Sequence, residues 1–183
     1  MRYAKSIRMK NGGECLLRSG DENDARQVID CFLLTHEQTD FLSSYRDECR
    51  LTEEKEREYL RSRLESPDEL MLLAEVDGRV VGTAGVDRIS RNEKMRHRAN
   101  FGISIEQAFW GLGIGREMLR VCIECAKAAG YAQLELEAVA DNERAIALYQ
   151  SEGFIECGRN PKGFRSRTSG WQALVHMRLE LDD

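Results

Sequence analysis

A short segment with three alternating glycines, placed between a strand-like run and a helical pattern, constrains this chain most. It reads Phe109-Trp110-Gly111-Leu112-Gly113-Ile114-Gly115-Arg116. Glycine has no Cβ, so the backbone can bend tightly there and a ligand can approach it closely. A helix that begins after such a turn directs unpaired amide N–H groups and its positive dipole end toward the turn. These properties predict an anion site, and phosphate is the usual occupant.

Two common nucleotide-binding motifs do not fit this glycine turn (residues 110–116). The dinucleotide motif G-x-G-x-x-G would need a third glycine at position 116, which is arginine. A P-loop that begins at Gly111 would need a glycine at the same position, followed by Lys and Ser or Thr, where the chain has Glu117 and Met118. The strands before the turn also read as an antiparallel hairpin, which fits a Rossmann βαβ unit poorly.

Hydrophobic periodicity predicts a mixed α/β fold with one twisted sheet. Asn11-Gly12-Gly13 indicates a hairpin or the entry to a strand, and Asp77-Gly78 joins two further strands. Helices are predicted after residues 21–24, from residue 52 to about 66, from the glycine turn to residue 129, and over residues 142–152. The predicted strands after the first helix pair are 70–76, 80–87, 99–105, 134–138, 153–157 and 171–181.

Composition indicates an ordinary globular protein with one domain over residues 1–183. The chain is 42% hydrophobic and 32% charged, and its length suffices for a core without disulfides. A net charge of −5 argues against nucleic-acid binding as the main function. The apolar runs are too short for a membrane span, and the first residues lack a secretory pattern. We therefore expect a cytoplasmic protein without nucleic-acid or membrane partners.

The six cysteines do not indicate a metal or redox centre. Cys122 and Cys125 form a C-x-x-C pair, but they lie in a helical pattern, where such residues share one face. No second pair and no nearby histidine completes a zinc set. We therefore interpret them as small apolar residues on a buried helix face and expect no metal.

Two blocks together resemble the GNAT superfamily of N-acetyltransferases. Trp110 to Gly115 resembles the family's acetyl-CoA loop, Gln/Arg-x-x-Gly-x-Gly/Ala, except at the first position. Asp141 to Phe154 resembles its Asn-x-x-Ala-x-x-Leu-Tyr-x-x-x-Gly-Phe block. The resemblance spans roughly residues 14–181. It implies a single α/β (α+β) domain, in which helices flank a central twisted, mixed and mainly antiparallel sheet.

The resemblance also implies which residues contact acetyl-CoA. The backbone of the strand at Ile103, Ser104 and Ile105 would hydrogen-bond the pantetheine arm, and the glycine turn would hold the pyrophosphate. Asn142, at the start of the helix predicted over residues 142–152, would lie near the thioester. Tyr149 matches the tyrosine that protonates the departing CoA thiolate in many members. The implied cofactor contacts are Ile103, Ser104, Ile105, Trp110, Gly111, Leu112, Gly113, Ile114, Gly115, Arg116, Asn142, Ala145 and Tyr149.

One position departs from the family pattern. Trp110 stands where the family usually has Gln or Arg, which removes one polar contact to the cofactor. Arg116 is a candidate for the missing positive charge, and a solvated helix residue is the alternative. We expect Phe109 and Trp110 to pack under the turn rather than to contact the substrate. By analogy with the family, Glu37, Asp40 and Tyr45 are candidates for acceptor recognition.

The implied chemistry is direct attack of a primary amine on the acetyl thioester. An amine of lysine-like pKa, about 10.4, must first lose a proton, which costs about 4–5 kcal/mol at pH 7. A general base is therefore expected, and Glu137, Glu106 and Asn100 are open candidates. A small metabolite such as an amino acid or a polyamine is favoured as acceptor over a protein N-terminus or lysine.

Two other functions stay open at this point. The first is a non-catalytic acyl-CoA-binding or regulatory module on the same fold. The second is nicotinamide or ATP binding at the glycine turn. The sequence also leaves open the acceptor, the use of acyl groups other than acetyl, and the oligomeric state, a homodimer included.

Overall fold

Eight strands form one sheet in the spatial order β1-β2-β3-β4-β5-β6-β8-β7. The computed structural model of the protein describes residues 1–181. Its strands are β1 (Ala4–Arg8), β2 (Glu14–Ser19), β3 (Leu70–Val76), β4 (Arg79–Arg88), β5 (Arg98–Ile105), β6 (Gln133–Val139), β7 (Ile155–Ser166) and β8 (Gly170–Glu180). Its helices are α1 (Ala25–Gln38), α2 (Glu53–Glu65), α3 (Ile114–Ala128) and α4 (Glu143–Ser151). The predicted mixed, mainly antiparallel sheet with flanking helices is confirmed.

One neighbouring strand pair differs from all others in residues 1–181. β5 and β6 run parallel, and they pair over three positions only, from Arg98 with Gln133 to Asn100 with Glu135. β5 nevertheless pairs with β4 along its whole length on the other side. Beyond Asn100, the edge of β5 that faces β6 therefore has no strand partner, and the two strands diverge.

The helices cover both faces of the sheet. α1 and α2 pack on β3 and β4 around a small core that contains Val28, Leu60 and Leu73. α3 packs on β3, β4 and β5 over a larger core on the other face, which α4 joins through Tyr149. Both faces of the central strands are thus buried, as their continuous apolar runs require.

Local signals set most helix boundaries. The Thr52 hydroxyl accepts the Lys55 N–H at 3.4 Å and caps α2, and the Asn142 side chain accepts the Ala145 N–H at 3.3 Å and caps α4. After α3, Gly130 adopts a φ of 82°, which ends the helix at the predicted position. The α1 helix begins directly after residue 24, as predicted, and continues to Gln38.

Of the two alternatives at Asn11-Gly12-Gly13, the structure contains the hairpin, in which β1 and β2 pair antiparallel. One strand prediction was wrong in extent. The strand predicted over residues 153–157 extends from Ile155 to Ser166. Pro161 lies within it and donates no N–H, but β7 is an edge strand with two register shifts, where proline is tolerated.

Within residues 1–181, no helix combines the length and the apolar character needed to cross a membrane. Cys122 is fully buried on α3, as predicted for a residue on a packed helix face. The same residues contain no group of three or more metal-ligating side chains.

Candidate active site

A cleft of about 870 Å³ opens where β5 and β6 diverge. It extends from the glycine turn, past the start of α4, to β8. Most of the residues with a predicted cofactor contact line it: Ile103, Ser104, Ile105, Trp110, Gly111, Gly113, Gly115, Arg116, Asn142, Ala145 and Tyr149. Leu112 and Ile114 are not in its lining, and the Ile114 side chain is fully buried in the core. The turn can therefore use only the backbone of those two residues.

The glycine turn requires glycine at two of its positions. Gly111 and Gly113 have φ angles of 79° and 94°, in the left-handed region that disfavours side chains. Gly113 directly precedes α3, whose first amides have no partner within the helix. These N–H groups and the helix dipole make the end of the cleft attractive to anions.

Trp110 holds the glycine turn against the end of β5. Its indole Nε1–H donates to the carbonyl oxygen of Ile105 at 2.7 Å. The Arg144 guanidinium lies 5.3 Å from the centre of the indole ring and also lines the cleft. Arg116, the first candidate for the missing charge, pairs with Glu152 at 2.6 Å. Arg144 is therefore a second cation at the position where the family pattern is interrupted.

Lys10 is a cleft residue that the sequence did not reveal. It follows β1, and its backbone N–H donates to the carbonyl oxygen of Leu112 at 3.0 Å. Its side chain lines the cleft beside Gly113. The two segments are about a hundred residues apart in the chain, so no local pattern links them.

Tyr149 presents a protonated hydroxyl to the cleft. Its ring packs between Phe101 and Phe154, with centroid distances of 6.1 and 5.9 Å, and only 7% of the residue is exposed. Among residues 1–181 no group hydrogen-bonds the hydroxyl, and burial raises its pKa to about 12. The phenol therefore keeps its proton at neutral pH and can donate it within the cleft.

The three candidate bases differ in their surroundings. Glu137 lines the cleft, and His176 Nδ1 lies 3.0 Å from one of its carboxylate oxygens. Glu106 is 3% exposed, lies outside the cleft lining and pairs with the guanidinium of Arg79. Asn100 lines the cleft, but an amide does not accept a proton at neutral pH. Only Glu137 combines access with suitable chemistry.

The far wall of the cleft is the segment after α1, residues 39–48, which we call the acceptor wall. Phe41, Leu42 and Ser43 line the cleft, whereas Glu37, Asp40 and Tyr45, the residues that the sequence suggested for recognition, are not in its lining. Glu37 instead pairs with Arg46.

The acceptor wall is fastened to the β7–β8 turn through Asp40. One carboxylate oxygen of Asp40 accepts the hydroxyls of Ser166 at 2.5 Å and Ser169 at 3.0 Å. The Tyr45 hydroxyl accepts the N–H of Arg167 at 2.7 Å. The Ser166 hydroxyl is the main reason that the pKa of Asp40 lies below its usual range. The wall thus depends on an ionised Asp40.

Residues 33–154 match the model of the Acetyltransferase (GNAT) family, which is more than half of the chain. The chain belongs to the GNAT family. The GNAT protein is 34% identical over 102 residues to the N-alpha-acetyltransferase RimI of Mycobacterium tuberculosis, covering 56% of this chain and 62% of the relative. It is 26% identical over 113 residues to the L-amino acid N-acyltransferase MnaT of Escherichia coli, covering 62% of this chain and 65% of that relative.

The fold comparison agrees with the family match. The GNAT protein superposes with a TM-score of 0.80 on yncA, a putative acetyltransferase of Salmonella typhimurium solved with its cofactor acetyl-CoA. The two chains are 20% identical, and the superposition covers 91% of this chain and 94% of the other. This likeness concerns the fold. The GNAT protein spans less than two thirds of the length of the two curated relatives.

Replacing Trp110 by Phe should weaken CoA binding about two- to tenfold, because one hydrogen bond contributes about 0.5–1.5 kcal/mol. An aromatic ring remains at position 110, but the Ile105 carbonyl loses its hydrogen-bond donor. The glycine turn is then no longer held to the end of β5 by this bond. Titration calorimetry with CoA measures the effect. Trp171→Phe is the matched control, since Trp171 is exposed on β8 outside the cleft lining. Equal affinities for Trp110→Phe and wild type would contradict the fastening role.

Replacing Asp40 by Asn should lower the thermal stability at pH 7. The folded protein holds the pKa of Asp40 below its unfolded value, about 3.9, so the ionised form contributes stability above that pH. This contribution disappears as the pH falls through the pKa that Asp40 has in the folded protein. The melting temperatures of wild type and Asp40→Asn should therefore converge at low pH. Thermal unfolding from pH 8 to pH 3 tests this, with Asp30→Asn, an exposed residue of α1, as control. A constant difference across that range would contradict the assignment.

Proposed function

We propose that this GNAT protein is an N-acetyltransferase that moves acetyl from acetyl-CoA to the α-amino group of a free amino acid or of a peptide. The observation that carries the proposal is the shared cleft. It places the glycine turn at one end and brings Glu137 and the Tyr149 hydroxyl to the same cavity. An anion site, a base and an acid are the three elements that such a transfer needs.

The cleft offers complementary groups to each part of acetyl-CoA. The edge of β5 beyond Asn100 has no strand partner and can present backbone donors and acceptors to the amides of a pantetheine arm, except at the Ile105 carbonyl oxygen, which already accepts the Trp110 indole N–H. The glycine turn presents N–H groups to a pyrophosphate, and charge-assisted hydrogen bonds contribute about 1.5–3 kcal/mol each. Lys10 and Arg144 add positive charge at this end.

The residues of the cleft supply both proton transfers. The Glu137 carboxylate accepts a proton from the acceptor ammonium, either directly or through water. As the new C–N bond forms and the C–S bond of the thioester breaks, the Tyr149 hydroxyl donates its proton to the sulfur. The second proton of the amine nitrogen then returns to the Tyr149 oxygen, directly or through water, which leaves the amide neutral and restores the phenol. His176 holds the Glu137 carboxylate in place from β8. No covalent bond to the protein is required.

Two arguments support an α-amine as acceptor. The α-amine of a peptide has a pKa near 8, so its deprotonation at pH 7 costs only about 1.4 kcal/mol, against about 4–5 kcal/mol for a lysine side chain. A free amino acid lies between the two, because its own carboxylate stabilises the ammonium form. One of the two relatives is named an N-alpha-acetyltransferase and the other an L-amino acid N-acyltransferase, so both names refer to α-amines.

A panel of amines tests the proposed function directly. Purified protein with acetyl-CoA should release CoA thiol with free amino acids, and more slowly with lysine side-chain analogues or polyamines of matched concentration. Short peptides with free N-termini form the comparison set, and N-acetylated peptides the negative control. If CoA binds but no amine causes thiol release, the protein is a binding module. If nicotinamide or ATP stabilises it and acetyl-CoA does not, the assigned co-substrate is wrong.

Replacing Tyr149 by Phe should lower kcat about 10²–10⁴-fold, the usual contribution of a general acid, while the Kd for CoA stays unchanged. The phenyl ring keeps the packing against Phe101 and Phe154. Steady-state thiol release and calorimetry measure the two quantities. Tyr131→Phe is the control, because Tyr131 is another buried tyrosine and does not line the cleft. An unchanged kcat in Tyr149→Phe would rule out the acid role.

Replacing Glu137 by Gln should lower kcat/KM about 10²–10⁴-fold at pH 7, because the proton acceptor is lost. With a peptide as acceptor, the deficit should shrink at pH 9, where a peptide α-amine is already largely deprotonated in solution. The pH profile separates this role from a structural one, which would give the same deficit at each pH. Glu180→Gln, on the neighbouring strand β8 and outside the cleft lining, should behave like wild type.

A further inference from the structure

A second cavity, of about 380 Å³, lies between α1 and α2 on the face of the sheet opposite α3. Its volume is sufficient for a small organic molecule. Most of its walls are apolar side chains, namely Val28, Phe32, Leu51, Tyr59 and Met71. The acetyl-CoA cleft proposed above uses none of them.

A buried carboxylate lines this second cavity. Glu56 of α2 is 5% exposed, and its carboxylate has no hydrogen bond and no ion pair in the part of the chain that the structure describes. Burial raises its pKa, with no opposing contribution from a neighbouring cation. An acidic residue in the first turn of a helix favours the helix dipole, but the exposed Glu53 provides this without burial. Helix formation therefore does not explain why Glu56 is buried.

An unpaired carboxylate in a mostly apolar cavity costs stability, since the charge keeps only part of its hydration and gains no partner within residues 1–181. An apolar side chain at position 56 would fill the same space without that cost. The carboxylate instead lies in the wall of a cavity wide enough to admit a molecule that could supply the missing positive charge.

We propose that the second cavity binds a small primary ammonium compound with an apolar body. Its ammonium group pairs with Glu56, and its apolar part contacts Phe32, Leu51 and Met71. Lys55 also lines the cavity and disfavours a second cationic group on the same molecule, so a diamine fits less well than a monoamine. This site is independent of the proposed acetyl transfer.

The second cavity and the cleft meet at one hydrogen bond. Thr83 lines the second cavity, Ser104 lines the cleft, and their hydroxyl oxygens lie 3.3 Å apart across β4 and β5. Because the proposed acceptor is also an amine, a binding experiment must separate the two locations. Glu56 lines only the second cavity and Glu137 only the cleft, so variants of these two residues distinguish the two locations.

Titration of the CoA-saturated protein with 3-methylbutylamine tests the proposal. We expect binding by wild type, by Glu137→Gln and by the exposed control Glu53→Gln, and at least tenfold weaker binding by Glu56→Gln. The uncharged analogue 3-methylbutanol should bind at least tenfold more weakly than the amine to wild type. Absence of amine binding, or binding that Glu137→Gln abolishes and Glu56→Gln leaves intact, would overturn the proposal.

Thermal unfolding without any amine gives a second readout and shows that Glu56→Gln folds. The folded pKa of Glu56 lies above its unfolded value, so the ionised carboxylate lowers stability at high pH and this penalty disappears as the pH falls. The titratable groups that line the cavity with Glu56 are Lys55 and Tyr59, both of α2; α1, β3 and β4 contribute Val28, Phe32, Met71 and Thr83.

We therefore expect Glu56→Gln to melt at a higher temperature than wild type at pH 8, with the two values converging toward pH 4. Addition of 3-methylbutylamine at pH 8 should raise the melting temperature of wild type and leave that of Glu56→Gln unchanged. A lower melting temperature for Glu56→Gln at pH 8 would show that the carboxylate already has a stabilising partner within the protein, and the proposal would fail.

Discussion

The short parallel contact between β5 and β6 determines the rest of this structure. Three residue pairs, with the ion pair between Arg98 and Glu135 beside them, hold the strands together at one end. Past that point each strand follows its other neighbour, β4 or β8, and the two move apart. The opening gives the cleft its position, exposes the backbone edge of β5, and allows Tyr149 of α4 to reach the gap. A longer parallel pairing would fill the cleft, cover the edge of β5 and keep Tyr149 out of the gap.

An open gap in a sheet needs support at its wide end, and residues from distant parts of the chain provide it. Trp110 fastens the glycine turn to the end of β5, and the backbone of Lys10 fastens the same turn to the first hairpin. On the acceptor side, Asp40 joins the segment after α1 to the β7–β8 turn. These fastenings are hydrogen bonds, and Phe109 and Leu112 add apolar packing of the turn against the core.

The sequence predicted those parts of the site whose signal is local. The glycine turn, the Asn142 cap and Tyr149 each belong to a continuous block, and the fold places all three at one cleft; their cofactor contacts stay predictions. Lys10 could not be predicted, because its position depends on pairing between segments far apart. The resemblance suggested the segment after α1, but not that Phe41, Leu42 and Ser43, rather than Glu37, Asp40 and Tyr45, line the cleft. The choice among Glu137, Glu106 and Asn100 likewise needed burial and ion pairs, which no spacing encodes. The extent of β7 was missed because Pro161 reads as a strand end unless the strand is known to be an edge.

The edge position of β7 also bears on how copies of this chain can meet. An unpaired strand edge invites another strand to continue the sheet, which leads to aggregation or to dimers with a continuous sheet. Along β7, Pro161 removes one donor, the strand departs twice from regular register, and Arg159, Lys162 and Arg165 place exposed positive charge along it. Arg159 is paired with Glu156 of the same strand, so Lys162 and Arg165 are the charges that oppose the approach of a second β7. Together with Pro161 and the register shifts, they disfavour continuation of the sheet across this edge.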